Sequence, residues 1–214
     1  DDTNQNSVVV IDCVLHTNNT NDLRITGYKG LYMSGCICKS DVATQNLFFY
    51  GAVIENCIFI DGQTNVYADA GMTIVKNCTF FNTTVRAILC NSADGLVAEM
   101  NNIFYLAAAA DLAVSLSGGS LVSSHNSCAY AYNSGTPVAL TQAWPAGSVA
   151  ERNVVDGINI EADPLFVDAA NDDFRLLPTS PCLNTGKSIP DGNGNLNGVT
   201  SMGAWPRKSF IQRD

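Results

Sequence analysis

One register of alignment constrains this chain more than any other feature. Six segments fall into it, centred on Asp12-Cys13, Gly35-Cys36, Asn56-Cys57, Asn77-Cys78, Asn101-Asn102 and Asn126-Ser127. Successive steps are 23, 21, 21, 24 and 25 residues. The first column contains Asp, Gly and Asn alone, the residue types that enter the left-handed αL region at least cost. The second column, Cys13, Cys36, Cys57, Cys78, Asn102 and Ser127, holds side chains small enough to stack on one another. A fixed period of this length signals a repeat architecture.

Around each corner the pattern is that of short strands. Before it, alternate positions are apolar in the early units: Val8 and Val10, Leu31 and Met33, Ala52 and Ile54, then Thr73 and Val75. After it, the small-residue column shares a face with Leu15, Cys38, Phe59, Phe80, Phe104 and Ala129, two places on. A third apolar piece follows in most units, as in Leu47–Tyr50, Val85–Cys90 and Leu112–Leu116. Three short strands in 21–25 residues leave no room for a helix, so each unit is one coil of a parallel β-solenoid. Helical repeats need about 33 residues or more, and the leucine pattern of leucine-rich repeats is missing. Six coils, stacked at roughly 4.8 Å, predict a column roughly 30 Å long.

Composition narrows the partners. The 214 residues are 46% hydrophobic and 14% charged, enough to bury a core. Eleven Lys and Arg stand against 20 Asp and Glu, a net charge of −9, and the basic residues are scattered. Nucleic acid, which needs a clustered basic face, is therefore not an expected partner. No stretch approaches the roughly 18–20 apolar residues of a membrane span. The opening Asp1-Asp2-Thr3 lacks an initiator Met and a signal-like segment, as expected of a processed product or a piece of a longer protein.

The V-x-N-C-x-F units resemble the repeats of the right-handed parallel β-helix (pectate-lyase-like) superfamily. The tail is similar to a terminal pattern of bacterial and phage β-helix proteins: Asp163-Pro164-Leu165-Phe166, Asp173-Phe174-Arg175-Leu176, Ser180-Pro181-Cys182-Leu183-Asn184, then Met202-Gly203-Ala204. The resemblance implies an all-β, right-handed parallel β-helix of about six coils. It says little about activity, because this superfamily hosts lyases, hydrolases, epimerases, adhesins and virion spikes. Coils are expected over 1–150 and an irregular C-terminal capping segment over 151–214, where the repeat is lost and Pro164, Pro178, Pro181, Pro190 and Pro206 appear. That cap is expected to cover the last coil, with Trp144 and Trp205 helping to close it. At the other end, Val8–Ile11 enters the first coil with no apolar segment ahead of it. An open solenoid end exposes strand edges, so a further domain, a neighbouring subunit or the next subunit of a fibre is expected to cover it, the alternative being that residues 1–6 fold back over it.

The eight cysteines include no C-x-x-C pair and, with two histidines, no zinc spacing. Stacked Cβ vectors that point the same way suit a disulfide poorly, so the column is read as free buried thiols. Cys182 stands apart and can pair only if a partner folds near it. A lyase of the resembling family uses acidic residues to hold calcium and a Lys or Arg as the base that abstracts the sugar proton. Arg86 is the one coil-borne candidate base with acids on adjoining coils: Asp61, Asp69 and Asp94. The Arg-rich lyase signature, and the paired-Asp, Gly-His-Gly and Arg-x-Lys motifs of polygalacturonases, are absent. A pair such as Asp61 and Asp69 would serve an inverting glycosidase if held about 6.5–9.5 Å apart. His16 and His125 lie in different coils with no nucleophile pattern beside either.

Asp191, Asn193 and Asn195 alternate as in a calcium loop. However, Leu196 replaces the turn glycine and Met202 the bidentate Glu, and a Gly/Asn turn explains the stretch as well. Two function classes follow. One is a non-catalytic extracellular, cell-surface or virion-associated module of a fibre, appendage or phage tail, self-associating end to end or laterally and contacting carbohydrate. The other is a calcium-assisted lyase of acidic polysaccharide.

Overall fold

The computed structural model describes residues 7–17, 30–41, 45–49, 51–108, 111–116, 120–133, 136–137, 154–155, 159–188 and 201–204. Three sheets wrap one core. Sheet A stacks β1 (Val8–Ile11), β3 (Leu31–Ser34), β6 (Ala52–Glu55), β9 (Gly71–Lys76), β12 (Gly95–Met100), β15 (Ser120–His125) and β18 (Val154–Val155). Sheet B stacks β2 (Val14–Thr17), β4 (Ile37–Ser40), β7 (Ile58–Ile60), β10 (Thr79–Thr83), β13 (Ile103–Leu106) and β16 (Cys128–Ala131), with β17 (Thr136–Pro137) antiparallel at its end. Sheet C stacks β5 (Gln45–Phe49), β8 (Thr64–Ala68), β11 (Arg86–Cys90) and β14 (Leu112–Leu116). The fold is an all-β parallel β-solenoid.

Its registers follow the sequence period. Val8 pairs with Leu31, Leu31 with Ala52, Ala52 with Thr73, Thr73 with Val97, and Met100 with His125. Every member of the corner column is in the αL region: Asp12 at φ 51°, Gly35 at 67°, Asn56 at 55°, Asn77 at 53°, Asn101 at 54° and Asn126 at 50°. A Cβ at Gly35 would also meet the Asp12 carboxylate of the coil below, which would have to turn aside. The count of about six coils is corrected. Four coils carry all three strands, so about four turns are complete, and the first and sixth contribute to sheets A and B alone among the described residues.

Inside, one column is Cys36, Cys57 and Cys78 and its neighbour is Phe59, Phe80 and Phe104, all essentially buried. The three rings stack face to face, with centroids 4.9 and 5.1 Å apart, so each coil lays its ring on the one below. In this structure none of the eight cysteines is bonded to another. At the fifth coil the interior turns polar. Asn102 accepts from the Cys78 N–H at 2.9 Å and donates to the Val75 carbonyl at 3.0 Å and the Glu99 carboxylate at 2.9 Å. Ser127 donates to Glu99 at 2.6 Å. The small-residue column then gains a seventh member, since Asn159 accepts from the Ser127 N–H at 3.0 Å and Ile160 bridges to Cys128 in parallel. A partial seventh turn therefore lies inside the segment expected to be cap.

The described remainder of that segment runs back along the outer face of sheet B as a strap. Its hairpin, β19 (Phe166–Asp168) and β20 (Asp173–Leu176), sets Phe174 on Ile58 and Ile60. Farther along, Cys182 and Met202 pack on Ile103 and Cys128. Trp144 and Trp205 lie outside the described residues. The reason for the strap is the outer face itself: Ile58, Thr79, Ile103 and Cys128 form an outward column that is apolar but for Thr79, and burying it is favourable at roughly 25 cal/mol per Å².

Candidate binding cleft on the solenoid flank

Two outward columns define sheet B. The first is Val14, Ile37, Ile58, Thr79, Ile103 and Cys128; the second is His16, Lys39, Ile60, Phe81, Tyr105 and Tyr130. The strap's contacts run from the sixth coil back to Lys39 in the second, and a cleft of about 580 Å³ opens between its turn and the first coils. Val14, Ile37, Ile58 and Ile60 make the floor, with Phe174 as the inner wall.

The rim is polar. His16 Nε2 lies 2.9 Å from Asp41, and the Lys39 ammonium reaches Asp172 at 3.2 Å, tying strap to coil. Arg175 holds Asp173 through two hydrogen bonds, at 2.8 and 2.5 Å, and this holds the Asp173 carboxyl below the usual carboxylate range. Asn171 donates to Asp168 at 2.7 Å. An apolar floor with a few fixed donors and acceptors at the edge is the composition of a ligand site.

Farther up the flank lies an aromatic ledge. Phe81, Tyr105, Tyr130 and Tyr132 stack in parallel, with centroids 5.0–5.8 Å apart. Burial, then the Asp163 charge, pushes the Tyr105 hydroxyl up to about 12. Tyr132 donates to Asn82 at 2.6 Å, and Asn82 donates to Asp61 at 2.6 Å.

The candidates for catalysis are dispersed along the coils. Asp61 is a corner residue at φ 63°, between β7 and β8, bonded to Asn82 of the coil above. Asp69 follows β8 and Asp94 precedes β12, both at the corner from sheet C to sheet A. Asp61 and Asp69 flank the five residues of β8, which span roughly 16 Å, beyond the reach of an inverting pair. Arg86 begins β11 beside Thr64, half-buried, its Nε without a hydrogen-bond partner among the described residues. Tyr67 has its hydroxyl raised by burial and Asp69, while Arg86 opposes that shift. Asp191, Asn193 and Asn195 lie outside the described residues, as does the side chain of His125. Among the described residues no cluster of three or more His, Cys, Asp or Glu could hold a metal, and no helix is long and apolar enough to cross a membrane.

Sequence reasoning missed the cleft and the buried Glu99. A signal existed for the first: His16, Lys39 and Ile60 all stand three places beyond the small-residue column, on the outward face. Comparison of the chain with protein-family models, with curated proteins and with solved structures finds no match to any of them.

Proposed function

We propose that this chain is a non-catalytic, extracellular β-helix module of the pectate-lyase-like kind. In this reading it is a structural or adhesive part of a fibre, surface appendage or phage tail. Its first coil joins a neighbouring subunit, and its flank contacts carbohydrate. The observation that carries the reading is the first coil. Strand β1 pairs with β3 on one edge and with no strand on the other among the described residues, and its Val9 and Ile11 are 61% and 49% exposed. Val14, on the adjoining strand, is 60% exposed. A regular edge strand with apolar side chains is a template for strand addition, and natural proteins seldom leave one bare.

The test is the assembly state, by mass photometry with negative-stain imaging, for the chain and for a Val9→Lys/Ile11→Lys variant. Fibres or a defined oligomer that the double substitution dissolves are expected. A monomer at all concentrations overturns the reading. The second reading, a lyase of acidic polysaccharide, draws on the Arg86 Nε, which has no hydrogen-bond partner among the described residues, and on Tyr67, whose hydroxyl feels both Arg86 and Asp69. Calcium-dependent cleavage of uronic-acid polymers, lost in Arg86→Ala, would replace the first reading with the second.

A further inference from the structure

The strap and the sixth coil meet at two sulfur atoms. Cys128 is the last member of the first outward column of sheet B, and Cys182 comes to it from the strap. Both are buried at 0% exposure in one cluster with Ile103 and Met202, and the neighbouring Cys182 thiol together with burial pushes the Cys128 thiol well above its ordinary value. The Cys128 thiol also donates to the Ala162 carbonyl at 3.2 Å.

The geometry points to Cys128 and Cys182 as a disulfide site, whose closure staples the C-terminal strap to the sixth coil. The column cysteines differ in kind. Cys36, Cys57 and Cys78 project from successive coils in the same direction, which a disulfide's torsion of about 90° does not accommodate without backbone movement. Cys128 and Cys182 approach from different layers, one pointing out of the sheet and one pointing back at it. Their backbones are free of any shared ladder.

Closure needs a two-electron oxidant, here an external low-molecular-weight disulfide of the glutathione class. While the strap is lifted, one thiolate attacks the external disulfide, forms a mixed disulfide and releases one thiolate. The second cysteine, as its thiolate, attacks the protein sulfur of that mixed disulfide and releases the other. Two cysteines are oxidised, one external disulfide is reduced to two thiols, and the protons given up by the cysteines go to the leaving thiolates. The closed pair spans 54 residues of chain, long enough for a large effect on the unfolded state.

The experiment refolds the whole chain in a buffer of oxidised and reduced glutathione, alkylates it under denaturing conditions and maps it by mass spectrometry. Expected are the loss of two hydrogen atoms from the intact mass, a single linked pair containing Cys128 and Cys182, and six alkylated thiols out of the eight cysteines. Reduction should lower the Tm by about 5–10 °C, an effect absent in Cys182→Ser. Cys57→Ser should keep the link. Eight alkylated thiols at equilibrium with the buffer, or a link within the Cys36–Cys57–Cys78 column, overturns the proposal. The mapping uses the unsubstituted chain, so the result does not depend on either variant folding.

Discussion

Glu55 shows what a single outward side chain adds to a coil. It stands on β6 between Ser34 of the coil below and Lys76 of the coil above, in direct register with both. The Lys76 ammonium approaches at 2.7 Å, and the Tyr32 and Ser34 hydroxyls donate to the same carboxylate. Burial alone would raise the carboxyl; the bonds from Lys76, Tyr32 and Ser34 outweigh it, and the folded-state value lies below the ordinary one. A depressed carboxyl stabilises the fold above its unfolded value, about 4.3, and that contribution is lost as pH falls through the folded value. Glu55→Gln is therefore expected to cost up to about 1 kcal/mol at pH 7, with the gap to the parent narrowing as pH falls below the unfolded value of about 4.3. Urea denaturation at pH 7, 5 and 3 checks this; a gap that does not depend on pH would refute it.

Strands and corners owe their stability to stacking from coil to coil. Phe80 lies between Phe59 and Phe104, fully buried, its ring nearly parallel to both at 6° and 11°. Neither neighbouring coil can collapse into the space without breaking its own register. Phe80→Ala is expected to cost about 3–5 kcal/mol in chemical denaturation, and a loss under about 1 kcal/mol would mean the column is not a packed core. This stacking also explains what the sequence makes legible. Each coil repeats the contacts of the one below, so the αL corners and the cysteine and phenylalanine columns recur at a visible period. The strap makes each of its contacts once, Phe174 on Ile58 and Gly203 against Ile103, and no period announces them. The corner from sheet B to sheet C repeats at Asp61 and Asn82, and then the chain has Leu106 and Ala107 near that place. With that column cut short, Asp61 reads as a candidate acid rather than a turn. The seventh turn is hidden for a similar reason, since Asn159 falls 32 residues beyond Ser127 rather than 21–25.

Across the whole molecule the strap changes how stability is shared. A bare solenoid is a one-dimensional array in which each coil feels its neighbours and the ends fray first. Here the strap joins the second coil, through Lys39 and Asp172, to the sixth, where the Asn126 amide donates to the Thr185 carbonyl at 2.8 Å. In the fifth coil Asn101 has two roles. It makes the αL corner, and its side chain exchanges two hydrogen bonds with the Lys187 backbone, at 2.8 and 2.6 Å. Its carbonyl also accepts from the Gly203 N–H at 2.7 Å, at a glycine whose Cβ would press within 2.7 Å of Ile103. Asn77 makes the same corner one coil below, but its side-chain oxygen is buried with no partner among the described residues. Glycine at either position keeps the corner, so the two substitutions separate turn from latch. Asn77→Gly should cost less than about 1 kcal/mol and leave a single sharp transition. Asn101→Gly should cost about 1–3 kcal/mol, lower the urea m-value as the coils begin to unfold separately, and speed hydrogen exchange at the Lys187 and Gly203 amides. Equal m-values and equal exchange in the two variants would mean that the strap covers the flank without coupling the coils.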